Sequence, residues 1–446
     1  MKTPPQTAAL RRRAEKAIAA RRERRAARPR RFAGVRRYLG IIGPGLIVAN
    51  AGNDAGGIFT YSNTGSKYGL NLLWTFLPIL LALIVTQEMV ARLGSVTGKG
   101  LMDLIRERFG VRWTLFASLV VIVANGGTVL AEFAGIGGAL GLLGVPLPVA
   151  VLGAALMLGI LVLRANRRLV ERVFLAMGLT FISYIVTTFM VHPVWGDVAH
   201  SLIPTLSHHP GAPDATSYTT DLITLVGTSI TPYMQLFLQS SIVDKGTSEK
   251  ELNYARADVI SGSTFAMAVA ACIVITTAYT LFAHGFAGHD LSSASDAASA
   301  LKPLAGEHAT QLFAIGLLGA SLLAAAVLPL STAFVVCEAF GAERSVQNRF
   351  SEAPLFFGLF IGLLVVGAVT VAVLGSSSIA AVAIGTQTLD GILLPVLLIF
   401  ILILANDRRL LGRYRNGPFN NAVAVTFVAA LSALTGYLVL STLIPL

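Results

Sequence analysis

Ala49-Asn50-Ala51-Gly52-Asn53-Asp54-Ala55-Gly56-Gly57-Ile58 sets a carboxylate in the middle of the first apolar segment of the chain. An ionised Asp at that depth in hydrocarbon is costly unless it faces a polar cavity or a partner, so Asp54 is a functional-site candidate. The glycines around it let a helix unwind and free backbone carbonyls for a ligand. A negative charge beside open carbonyls suits a cation. The competing reading is structural: a carboxylate that caps a kinked helix or is paired inside a bundle.

The rest of the chain supplies the setting. It has 446 residues, 54% hydrophobic and 13% charged, with a mean hydropathy of +0.72. Soluble domains carry about 25% charged residues. Eleven apolar segments follow one another at 41–66, 70–93, 113–142, 147–164, 169–191, 219–243, 257–284, 309–340, 353–374, 378–405 and 420–444. Each is close to the length needed to cross about 30 Å of hydrocarbon. The expectation is an all-α membrane protein with eleven transmembrane helices. Cys272 and Cys337 both lie in apolar segments and read as small core residues rather than a disulfide framework.

Charge gives the orientation. Of 34 Lys and Arg, only Lys67 and Lys302 fall in the alternate set of loops. Cytoplasmic loops carry the Lys/Arg excess, so the amino terminus is expected inside and, after eleven crossings, the carboxyl terminus outside the plasma membrane. The tail 1–38 holds Arg11-Arg12-Arg13, Arg21-Arg22-Glu23-Arg24-Arg25 and Arg28-Pro29-Arg30-Arg31. On a membrane protein it reads as a basic segment for anionic lipid headgroups, not for nucleic acid. No cleavage pattern marks it as a secretory signal. The loop 193–218 follows, and with His192 it is rich in His and lacks Lys and Arg. Its spacing matches no metal motif, and it reads as a polar loop.

The sixth segment carries a break of its own, Gly227-Thr228-Ser229-Ile230-Thr231-Pro232-Tyr233. Proline removes an amide donor and clashes one turn back. Interruptions in the first and sixth segments, five apart, point to a transporter of two inverted five-helix repeats with its site between the broken helices. The organisation expected is a basic tail (1–38), a first five-helix repeat (39–192), an outside loop (193–218), a second inverted repeat (219–405), and a loop with one extra helix (406–446). This is the sodium/amino-acid symporter-like architecture, and the protein is expected to work as a monomer. An ordinary proline kink repaired by neighbouring helices is the alternative at the second break.

Further residues carry a resemblance. Gly43-Pro44-Gly45, Asp54-Ala55-Gly56-Gly57, Tyr68-Gly69 and Leu72-Leu73-Trp74 resemble the first helix of the Nramp family of divalent-metal transporters. Gln87-Glu88-Met89, Ala91-Arg92-Leu93-Gly94, Thr97-Gly98-Lys99-Gly100-Leu101, Ala131-Glu132-Phe133 and Asp407-Arg408-Arg409 with Gly412 fit in order along the chain. The family's first-helix motif is Asp-Pro-Gly-Asn, its Asp and Asn being metal ligands. Here Asp54 keeps the first position and Gly57 stands at the second. Its sixth-helix Met-Pro-His is here Thr231-Pro232-Tyr233. A second histidine of that helix falls on Gln239, an Asp before Glu132 falls on Val129, and a tenth-helix Gln is matched by Gln387.

The departures share one direction. Thioether sulfur selects softer metals, whereas oxygen ligands suit Mg²⁺, Ca²⁺ and Mn²⁺. Gly57 removes a ligand and leaves volume, and Mg²⁺ keeps several waters and needs only one or two carboxylates. The pattern resembles the Nramp-related magnesium transporter branch. The implied metal site has Asp54, Thr228, Thr231 and Gln387 as oxygen donors. Asn53 could replace the missing amide, Gly57 provides room, and Tyr233 and Gln235 line the cavity. Met234, close behind Thr231, reads as packing, though a local shift would bring its sulfur inward. Loss of the two histidines removes groups that titrate near neutral pH, so uncoupled transport of Mg²⁺, and also Mn²⁺, is expected. No cofactor beyond the transported ion is implied. Proton-coupled transition-metal import, transport of a small organic solute, and a non-transporting metal receptor remain open. No nucleophile–base pair or phosphate loop suggests an enzyme.

Overall fold

The computed structural model describes residues 43–164, 167–204, 215–285, 291, 309–375 and 379–443. The tail 1–38, residues 205–214 of the polar loop and Lys302 lie outside them. All regular structure among the described residues is helical. The first apolar segment forms two helices, α1 (Pro44–Ala51) and α2 (Ala55–Tyr68). They are followed by α3 (Phe76–Thr97), α4 (Leu101–Phe109), α5 (Val111–Leu142), α6 (Leu147–Arg164), α7 (Arg167–Gly178), α8 (Ile182–Met190) and α9 (Trp195–His200). The sixth segment is again split, into α10 (Ala215–Ser229) and α11 (Pro232–Lys245). The remainder is α12 (Leu252–Thr280), α13 (Ala309–Phe340), α14 (Pro354–Leu374), α15 (Ile379–Asn406), α16 (Arg408–Leu411) and α17 (Pro418–Leu443).

Nine helical stretches among the described residues are long and apolar enough to cross a membrane. The half-helices of the first and sixth segments are each too short to count among the nine. Four helices, α1, α11, α14 and α17, begin on proline, whose fixed φ suits the first helical turn. The loop between the second and third segments differs from expectation, because it holds α4. Leu101, Met102, Leu104 and Ile105 are buried there, while Arg106 and Arg108 lie further out. A short helix with one apolar face escapes a reading based on membrane-length segments. The fifth segment also departs: a 3-10 turn at Leu179–Phe181 separates α7 from α8.

α13 is the central element, buried over most of its length and packed along α5. α12 packs on both α1 and α2, and α15 runs against α10 and α5. Close backbone approach makes this possible. A Cβ on Gly45 would lie 2.9 Å from the backbone of Asp258 and Val259, and one on Gly262 would lie 2.8 Å from the Gly45 carbonyl oxygen.

Several of the described basic side chains collect on one face. Arg92 bonds the Tyr414 carbonyl at 2.9 Å and the Asn416 side chain. Glu88 pairs with Arg256 at 2.8 Å and with Arg92 at 3.2 Å. Asp407 pairs with Arg108 at 3.1 Å, and Arg344 pairs with Asp103. On that face Asp258 accepts from the amides of Gly45 (2.7 Å), Gly43 and Leu46, anchoring the start of α1 to α12. Glu338 accepts from Ser240 (2.6 Å) and from the Met102 amide (3.1 Å), joining α13 to α11 and α4.

Candidate metal centre

The two breaks arise from local chemistry. α1 stops at Ala51, and Asp54, in extended conformation, caps α2 by accepting from the Gly57 amide at 2.6 Å. The structural role weighed for Asp54 is therefore real, and it uses only part of the carboxylate. α10 stops at Ser229, Thr231 is extended, and Pro232 opens α11.

The breaks meet α15 and α5. Gln387 on α15 reaches Asp54 with Nε2, 3.3 Å from Oδ1 and 3.4 Å from Oδ2. Glu132 on α5 accepts from the Ala55 amide at 3.2 Å. A Cβ built on Gly57 would lie 3.0 Å from the Gly52 carbonyl oxygen, 3.3 Å from Asp54 Oδ1 and 3.3 Å from Thr228 Oγ1. Three oxygens thus converge on the space that any larger residue at 57 would fill. The Gly57 amide itself is used by Asp54.

Asp54, Glu132, Thr228, Thr231, Tyr233, Gln235 and Gln387 are all fully buried. Several of their polar atoms have no hydrogen-bond partner: Thr228 Oγ1, Gln387 Oε1, Glu132 Oε1, and both Oε1 and Nε2 of Gln235. Thr231 Oγ1, beside the Tyr233 hydroxyl, has no partner of hydrogen-bonding geometry. Leaving a buried polar atom unpaired costs about 1–3 kcal/mol, so such a concentration marks a place for a ligand or water. The donors are oxygens, plus one amide nitrogen that can rotate away, and they suit a hard cation.

Two expected residues do other work. Asn53 turns to α12 and donates to the Ala266 carbonyl at 3.0 Å, away from Asp54's partners. Tyr233 donates to the Ala51 carbonyl at 2.6 Å, so its phenol closes the open end of α1. Met234 packs against the first break: a Cβ on Gly52 would lie 2.9 Å from its sulfur. Gln239 donates to the Lys99 carbonyl at 2.9 Å. Val129 lies where α5 meets α14, close to Gly367.

A contact the sequence did not suggest lies on the face opposite the basic one. Lys67 and Tyr68 at the end of α2 both bond Asp221 on α10. The only hint was that both positions fall in the non-basic halves of the two broken segments.

Comparison with known proteins supports the assignment of the chain. Residues 45–441 match the family described as "Natural resistance-associated macrophage protein-like", Nramp. The divalent metal cation transporter MntH of Ralstonia nicotianae is 32% identical over 423 residues, which is 91% of either chain. The protein of the same name from Verminephrobacter eiseniae is 28% identical over 427 residues, 92% of this chain and 91% of that one. Among solved structures, a manganese transporter of Eremococcus coleocola superposes with a TM-score of 0.74 at 20% identity, over 89% of this chain and 85% of that one. A Na⁺-coupled sialic acid symporter superposes with a TM-score of 0.54 at 14% identity, over 90% and 89%, and is a likeness of fold alone. The chain belongs to the Nramp family.

Proposed function

We propose that this protein is a membrane carrier for a hard divalent cation, Mg²⁺ and also Mn²⁺, working by alternating access without proton coupling. The observation that carries the reading is a group of buried, unpaired oxygens at the two breaks: Gln387 contacts Asp54, Thr228 faces the same space beside Gly57, and Thr231 lies at the second break. In this reading the ion binds Asp54 and these neutral oxygens and keeps part of its water in the space left by Gly57. Gln235 lines the site, Asn53 and Tyr233 shape the breaks, and the relatives' printed activity, divalent metal cation transport, agrees in ion class.

The described histidines, His192, His200 and His284, stand outside the helices that carry the site. With Gln239 and Tyr233 where the family has histidine, no group near Asp54 offers an imidazole shuttle. An inside-negative potential supplies about 2.3 kcal/mol per charge per 100 mV, roughly twice that for a divalent ion. In the proposed topology the broken helices each count as one crossing, giving eleven in two inverted repeats plus one. The basic face is cytoplasmic, the basic tail meets anionic lipids of the plasma membrane, and a single chain transports. Flux of Mg²⁺, Mn²⁺ and Cd²⁺ into liposomes carrying an internal pH dye tests the proposal. It expects Mg²⁺ and Mn²⁺ entry without acidification, and loss of both with Asp54→Ala. Acidification that tracks Mn²⁺, or undiminished flux in Asp54→Ala, refutes it.

One observation favours a second reading, a transition-metal importer: the Met234 sulfur rests against Gly52. A thioether at the break would favour softer ions. Cd²⁺ flux that Mg²⁺ does not compete away would mark that case.

A further inference from the structure

One carboxylate in the bundle is left unexplained by the site above. Asp390 follows Gln387 by one turn of α15 and is fully buried. Its Oδ1 has no partner. Its Oδ2 lies 3.2 Å from Thr128 Oγ1 on α5, but that hydroxyl also lies 3.1 Å from the Ala124 carbonyl oxygen. A threonine has one proton to donate, so it satisfies one acceptor or the other. No Lys, Arg or His among the described residues pairs with Asp390. One turn further along α5, Asn125 is also buried: its amide donates to Thr332 at 2.8 Å, and its Oδ1 is unpaired.

We propose that Asp390, Thr128 and Asn125 form a second oxygen site for the transported cation, distinct from the site at Asp54. It rests on the carrier reading above and adds a second station to it. The donor set is a carboxylate, a hydroxyl and an amide oxygen, which is hard-cation chemistry. No group of three or more His, Cys, Asp or Glu among the described residues gathers as a metal cluster, so Asp54, Glu132 and Asp390 do not close on one ion. The rise of α15 puts Asp390 about 4.5 Å beyond Gln387, on the side of the basic face where that helix ends. On α5, Thr128 precedes Glu132 by four residues, about 6 Å. An ion leaving Asp54 and Gln387 finds a second carboxylate one turn beyond Gln387 on α15.

The test uses Mn²⁺ as probe, with equilibrium binding to the purified full chain and flux in liposomes. Asp390→Asn is expected to lower maximal flux about tenfold while Mn²⁺ affinity stays within about twofold. Asp54→Asn should keep weak residual binding, lost in the double variant Asp54→Asn/Asp390→Asn. Thr128→Val should lower flux in the same direction, and it carries the test if Asp390→Asn does not fold. An amide copies a protonated acid, so full flux in Asp390→Asn means that Asp390 holds only a proton and overturns the site. Residual binding that survives in the double variant overturns it too. Failure of the carrier reading is separately visible, because the wild-type chain would then move no Mn²⁺.

Discussion

Lys67 Nζ stands 2.9 Å from Asp221 Oδ2, and the Tyr68 hydroxyl donates to that same oxygen at 2.6 Å. The lysine side chain is 7% exposed and the aspartate 19%. The pair ties the far end of α2 to α10, the two half-helices that meet at the candidate centre. Charge-assisted bonds of this kind are stronger than neutral ones, and removing the lysine takes the positive charge away from a partly buried carboxylate. The tie joins the two half-helices at the ends away from their breaks.

Lys67→Gln is therefore expected to loosen that junction. With Cys272 and Cys337 replaced, a cysteine placed at Ser229 should react severalfold faster with a membrane-impermeant thiol reagent in Lys67→Gln than in its absence. An unchanged labelling rate would show that the contact is decoration and the seal lies elsewhere.

Gly57→Asn should alter ion preference. Its Cβ would enter the space bounded by the Gly52 carbonyl, Asp54 Oδ1 and Thr228 Oγ1, all within 3.3 Å. An amide ligand is added and room for water is lost, and Mg²⁺ is the ion that gives up water reluctantly. The ratio of Mg²⁺ to Mn²⁺ flux should fall by about tenfold, near 1.4 kcal/mol of discrimination. A ratio that holds steady in competition assays would argue that position 57 is remote from the ion.

Gly45→Ala should destabilise the fold. The methyl would press on the backbone of Asp258 and Val259 at 2.9 Å, and backbone gives way poorly. Overpacking of this sort costs about 1–3 kcal/mol. Gly153→Ala is the control, since a Cβ there meets nothing within 4 Å. Thermal unfolding of the detergent-solubilised chain should show a lower Tm for the first variant only. Equal midpoints would mean that α1 and α12 separate without penalty.

The sequence made the two breaks legible because their causes are local: glycines and an Asp in one, a proline behind threonines in the other. It could not reveal which side chains meet. The Asp54–Gln387 contact spans 333 residues and was anticipated only through family resemblance. Asn53, beside Asp54 in sequence, turns instead to the Ala266 carbonyl, because an unwound stretch sends successive side chains in directions no helical period predicts. The Lys67–Asp221 tie joins residues that hydropathy alone treats as segment ends. α4 was hidden for another reason, since its single apolar face is far shorter than a membrane crossing.

Met234→Leu decides between hard-donor and mixed-donor chemistry. The thioether rests against Gly52, where a Cβ would lie 2.9 Å from sulfur. Leucine keeps nearly the same volume and removes only the sulfur, and such swaps usually cost less than about 1.5 kcal/mol. If the ion is held by oxygen alone, Mg²⁺ flux and its inhibition by Cd²⁺ should both stay within about twofold of wild type, well under the tenfold that 1.4 kcal/mol represents. If sulfur joins the ion, Cd²⁺ should lose potency while Mg²⁺, which gains little from a soft ligand, keeps its flux. The proposed carrier requires the first outcome, and a selective loss of Cd²⁺ inhibition would transfer the assignment to the transition-metal reading.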